Sequence, residues 1–153
     1  MTIKNLKSKI VDLELGLKPY GLHLRGLLPL NDDDKDTLTQ PISKLANKNN
    51  LAIALVGNIG SSFWPQFTVA PEYTDGMPDP LDRLSKRVAS QLSNDFDSAP
   101  LFPSDGPPYF PFQQLAKRAQ GFSQSPIGFL ISPQYGLRHA YRFHMILPRE
   151  EFL

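Results

Sequence analysis

Apolar positions set a helical rhythm at the start of the chain. Leu6, Ile10, Leu13 and Leu17 recur at four-three-four spacing, which predicts an amphipathic helix with one face on a core. Tyr20-Gly21 ends it, and Leu22 to Leu28 follows as a strand in which Leu22 and Leu24 alternate with His23 and Arg25. Asn31 and three aspartates make a turn and a helix start. Leu38, Ile42 and Leu45 then mark a short helix that tolerates Pro41 only in its first turn. Leu51 to Val56 is unbroken apolar sequence, the pattern of a strand covered on both faces. It runs into the small residues Gly57, Asn58, Gly60, Ser61 and Ser62.

Asp79-Pro80 opens the next helix, with Asp79 as its cap. Leu81, Leu84, Val88, Leu92 and Phe96 form its stripe, and Asp82, Arg83, Lys86 and Arg87 are expected to face water. Pro111 opens another, with Phe112, Leu115 and Ala119 inward. Ile127 to Ser132 reads as a strand, Pro133-Gln134-Tyr135-Gly136 as a turn, and Arg138 to Leu147 as a longer strand. Strict alternation along the last puts His139, Tyr141, Phe143 and Met145 on one face and Arg138, Ala140, Arg142 and His144 on the other. The stretches Pro65–Pro80 and Pro100–Pro111 should be irregular, because proline lacks a ladder donor and disfavours helix in the residue before it. The order predicts a single α+β domain over 1–153: a mixed sheet flanked by helices, with no internal repeat.

Composition narrows the function classes. The hydrophobic share of 41% in 153 residues is enough for one core. A net charge of +1 offers no electrostatic case for nucleic acid or for an anionic membrane. The absence of cysteine excludes thiolate-bound zinc and iron–sulfur clusters carried by this chain. It also suits the cytoplasm, the compartment we expect. Charged residues interrupt the first stretch, so it does not read as a signal peptide, and nothing approaches the roughly 20 apolar residues of a membrane span.

The chemistry-bearing residues are few. His139 and His144, five apart on one strand, are expected on opposite faces and so cannot chelate one metal. Ser61, Ser62 and Ser123 lack the Gly-x-Ser-x-Gly context of a hydrolase nucleophile. Asp105 stands in a Pro/Gly-rich turn before the helix at Pro111. An acid there can donate a proton from a partly dry cleft, or simply bond its own backbone as Asp-Gly turns do. Trp64 and Phe63 are placed either to stack on a planar ligand or to fill core.

From Asp105 to Pro148 the order of parts becomes specific: an acidic turn, a helix, a Gly-bounded loop, an apolar strand, Pro-x-Tyr-Gly, and a strand ending in Leu-Pro. This segment resembles the cobalamin-binding domain of epoxyqueuosine reductases and reductive dehalogenases, and the B12-processing, cyanocobalamin-decyanating proteins. The resemblance implies a nitroreductase-like fold and a corrinoid cofactor. It implies Asp105 as the proton donor, with Gly121, Phe122 and Ser123 on the loop against the corrin. Gly128, Ser132, Tyr135 and Gly136 would lie on the strand and turn beside it. Ser123 departs from the family's second glycine, and the sequence holds no cysteine for the iron–sulfur clusters of the reductases, so either a separate partner is expected to supply electrons, or the chain is a fragment of a longer protein, or the fold is kept without the redox activity. The implied function is therefore corrinoid binding, in reductive chemistry or cofactor processing, with electrons from a separate iron–sulfur or flavin donor. Two alternatives stand beside it: a non-catalytic domain that docks to a redox partner through its proline-rich loops, and a flavin module that binds FMN. Substrate and oligomeric state are not legible.

Overall fold

The computed structural model describes residues 3–45, 48–105, 109–120, 123–124, 130–131, 134 and 139–149. The first helix, α1, spans Ile3–Leu17 and closes through a short 3₁₀ turn at Lys18–Tyr20. Gly21 follows at φ +68°, where a Cβ would stand 2.7 Å from the Ser62 carbonyl oxygen. Glycine is therefore required twice over, by its backbone region and by the crossing chain. The strand β1 (His23–Pro29) leads to α2 (Asp32–Thr37) and α3 (Thr39–Ile42). A capping box starts α2: Asn31 Oδ1 accepts from the Asp34 N–H, and Asp34 Oδ2 accepts from the Asn31 N–H. The expected single helix around Ile42 is thus two short ones, and Pro41 lies in the first turn of the second.

The central strand β2 (Leu51–Ile59) is buried over its first seven residues, as a strand covered on both faces must be. Next come α4 (Trp64–Thr68) and α5 (Pro71–Thr74), where irregular chain was expected. The prolines explain the correction: each sits in a first turn, where its missing N–H has no helical acceptor to satisfy. The long helix α6 (Pro80–Asp95) follows. Asp79 occupies its cap position, but at φ +54° and with no side-chain capping bond. β3 (Ala99–Leu101) places Pro100 in an edge strand, a sheet position that tolerates it, and so shortens the second expected loop. Then come α7 (Phe112–Gln120), the short pair β4 (Ser123–Gln124) and β5 (Leu130–Ile131), and β6 (His139–Pro148).

The main sheet has the order β1-β2-β6-β3. The chain is α+β, as its element order predicts. Every described pairing is antiparallel, however, where a mixed sheet was expected. Burial on both faces only requires helices above and below, and strand direction is set by pairing. One face carries Leu13, Leu17, Leu84, Val88, Leu92 and Phe143, joining α1 and α6 to the sheet. The other carries Ile42, Ile53, Leu55, Leu101, Leu115 and Ile146, joining α3 and α7. A fully buried side chain of this kind contributes roughly 1.5–3 kcal/mol, so the two-sided packing on β2 anchors the domain.

Candidate functional site

A cleft of about 540 Å³ lies between the α3 region, from Gln40 to Lys44, and Pro100, Leu101, Ser104, Asp105 and Phe110. Pro41, Pro100, Leu101 and Phe110 give it apolar walls, while Lys44, Ser104 and Asp105 line it with polar groups. Phe110 also borders a second cleft of about 560 Å³, which runs along Pro111, Phe112, Gln113 and Lys117 at the start of α7. The two clefts share Phe110 in their lining and are together called the trough. Each is within the roughly 300–1,000 Å³ of small-molecule sites. The α7 side is fixed by a two-point ion pair: Arg118 Nη1 donates to Asp34 Oδ1 at 2.6 Å and Nη2 to Oδ2 at 3.1 Å. Burial alone would raise the Asp34 carboxyl, but the Arg118 bond, the Asn31 N–H and the guanidinium charge together hold it below its ordinary value.

Asp105 reaches this trough from a closed turn. Its Oδ2 accepts the Phe102 N–H at 3.1 Å, and its own N–H donates to the Phe102 carbonyl at 3.1 Å. The turn bond and a place on the cleft therefore coexist: one carboxylate oxygen holds the loop, and the residue still lines the cavity. Across the cleft stands Lys44, which the sequence did not single out. An acid and a base lining one cleft offer an acceptor and a donor to a polar group.

Most residues implied by the resemblance to hold a cofactor are not among those the structure describes. Gly121, Phe122, Gly128, Ser132, Tyr135 and Gly136 lie outside the described residues. Ser123 lies on β4, paired in register with Ile131 of β5, so these two segments meet as an antiparallel pair.

The end of the sheet departs from simple alternation. The β2–β6 register shifts between Val56 and Gly57, which pair with Phe143 and Tyr141, leaving Arg142 as the extra residue of a bulge. A matching shift on β1 falls between Leu24 and Gly26, at Arg25. The bulge turns Tyr141 away from Phe143 and Met145 and against the second core face, beside His144. The rings of His139 and Tyr141 are 5.8 Å apart, and those of Tyr141 and His144 are 5.7 Å apart, both edge to face. This overturns the expected split of that strand: the ring series His139–Tyr141–His144 is continuous. Arg25 lies 5.1 Å from the Tyr141 ring. Arg142 lies 5.3 Å from the Phe63 ring and donates from Nε to Asn58 Oδ1 at 2.8 Å. No group of three metal-ligating side chains occurs among the described residues.

His144 is fully buried, stacked 4.0 Å from the Phe112 ring, with Nδ1 3.0 Å from the Phe143 carbonyl and no partner for Nε2. Burial pushes its pKa down to about 4, so the ring is neutral at physiological pH. Phe112 thus separates this imidazole from the second cleft. Tyr141 is pushed up to about 12 by burial, against the opposing charge of Arg25.

Compared with known proteins, the chain matches no family model, and no curated protein matches it. Among the described residues no helix is long and apolar enough to cross a membrane.

Proposed function

We propose that this chain is a corrinoid-binding domain, serving reductive chemistry or cofactor processing with electrons from a separate donor. The observation that carries the reading is the trough with Phe110 in its lining. It is open and sets Pro41, Pro100, Leu101 and Phe110 among a larger share of polar groups, which suits one side of a broad flat ligand edged with amides. Asp105 and Lys44 stand at its rim, where amide side groups of such a ligand would find both an acceptor and a donor. When bound, the corrin would supply the redox chemistry of its cobalt. The chain's own part is to bind and orient: Phe110 offers a ring face, and Asp105 holds the 102–105 turn that shapes the wall. With no cysteine, this chain cannot itself carry an iron–sulfur electron input through thiolates.

The test is a visible-light titration of the purified protein with hydroxocobalamin. A saturable change in the corrin bands, retained through gel filtration and weakened by Phe110→Ser, is the expected result. An unchanged spectrum at excess protein rejects the proposal. Quenching of FMN fluorescence without any corrin change would reject it in favour of a flavin ligand. The docking-domain alternative is favoured by a separate feature, the exposed aromatic segment after β2.

A further inference from the structure

Trp64 is 58% exposed, Val69 75%, Tyr73 44% and Met77 61%, all on the segment of α4, α5 and the turn after them. Trp64 and Tyr73 meet edge to face at 6.0 Å, and both pack on the buried Phe67, at 5.9 and 5.1 Å. An isolated exposed apolar residue needs no explanation, but a packed group of them on one segment does. This segment is also held unusually firmly. Arg83 of α6 donates from Nε to the Pro78 carbonyl and from Nη1 to Asp75 Oδ2, both at 2.7 Å. Its Nη2 reaches the Glu72 and Met77 carbonyls at 3.0 Å and Asp75 Oδ1 at 2.9 Å. Arg87 grips the buried Glu72 carboxylate through both oxygens. Ordering a surface loop costs conformational entropy, and fixing it in advance removes that cost from binding.

Along the segment itself the charge has one sign. No lysine or arginine occurs between Lys48 and Arg83, while Glu72, Asp75, Asp79 and Asp82 all do. Arg83 and Arg87 are spent on Asp75 and Glu72. That leaves Asp79 and Asp82, both exposed and in no salt bridge among the described residues, with the half-buried Arg142 guanidinium within electrostatic reach of Asp82. A second copy docking through the same face would set these acids against themselves, and an anionic membrane would be repelled.

We propose that the Trp64–Met77 ridge docks a partner protein through an apolar segment flanked by lysine or arginine. Trp and Tyr at the centre match the residue types that dominate binding energy, and the two aspartates select the partner's charge. This inference does not depend on a corrinoid in the trough.

Trp64 is the chain's only tryptophan, so its emission reports directly on the ridge. The full chain is used to select from a phage-displayed library of short random peptides, and the strongest clone is synthesised. The expected peptide has an aromatic or aliphatic centre with basic flanks. It shifts Trp64 emission to the blue, and the double charge reversal Asp79→Lys, Asp82→Lys weakens it about tenfold or more. Trp64→Ser abolishes its capture; Tyr73→Ser serves if that variant fails to fold by circular dichroism. The proposal is overturned if no selected peptide depends on the ridge, or if the selected ones are acidic or indifferent to the charge reversal. It is equally overturned if the protein alone shows a concentration-dependent blue shift with dimerisation in sedimentation. A blue shift on phosphatidylcholine vesicles in place of peptide binding would assign the ridge to a lipid surface and end the protein-partner reading.

Discussion

At the scale of single residues, His144 links the core to solution conditions. In the unfolded chain an imidazole titrates near 6.5; in the fold, burial moves it to about 4. Between those values the unfolded state binds the proton and the folded state does not. Stability is therefore complete above about pH 6.5 and falls as the pH drops toward 4, by about 3 kcal/mol in all. Burial outweighs the Phe143 and Phe112 backbones, which favour the proton, and the neighbouring Phe112 and Tyr141 rings and Arg25 guanidinium bring no negative charge. Glu72 acts in the same direction at lower pH: the Arg87 bond holds its carboxyl below the usual range, so its contribution is full above about 4.5 and is lost as the pH falls through the lowered value. Urea unfolding at pH 7 and pH 4.5 should show the loss in wild type. His144→Phe, which keeps the stacking surface and removes the orphan nitrogen, should show much less of it while matching wild type at pH 7 within about 1 kcal/mol. Equal pH sensitivity in the two proteins would place the acid lability elsewhere. Neither role of His144 was legible in its sequence. Counting in twos set it across the strand from Tyr141, and a bulge has no compositional mark.

Among the elements, the β2–β6 ladder carries the tightest constraint. A Cβ on Gly57 would stand 1.9 Å from the Ala140 carbonyl oxygen, well inside any allowed contact. The two backbones approach this closely just past the bulge at Arg142, where the register changes. Gly57→Ala must therefore part the ladder or shift the bulge. We expect about 2–4 kcal/mol of destabilisation, read as a lower urea midpoint with the slope unchanged. A Gly57→Ala protein as stable as wild type would mean the strands separate at no cost. Helices α1, α6 and α7 and strands β1, β2 and β6 follow from their periodicity, because each buries one face or both against a core it can recognise locally. What periodicity misses depends on position within an element. The prolines of the 65–80 stretch start turns of helix, and Pro100 finds an edge strand that exists only once β6 is beside it. Likewise Arg83 and Arg87 looked like a solvated helix face, since nothing in sequence shows that Asp75 and Glu72 fold back onto them.

Considered as a whole, the molecule separates its stability from its surface features. The sheet is packed on both sides by large buried side chains, and this double layer holds α1, α3, α6 and α7 in place. The ridge from Trp64 to Met77 hangs on the outside of that body, joined to it through Phe63 and Phe67 and through the two arginines of α6. Opening the ridge need not open the core, because regions with few buried apolar contacts unfold at lower free energy than the whole. Arg83→Ala is the change that tests this division. It removes the bonds to Asp75 and to three carbonyls at once, yet takes nothing from either core cluster. The melting temperature should stay close to wild type. Cleavage by chymotrypsin at Tyr73 and hydrogen exchange over 70–78 should rise sharply. A large fall in melting temperature with unchanged exchange in the ridge would show the arginine to be part of the global fold. In that case the firmness of the ridge would be a by-product of stability, with no bearing on recognition.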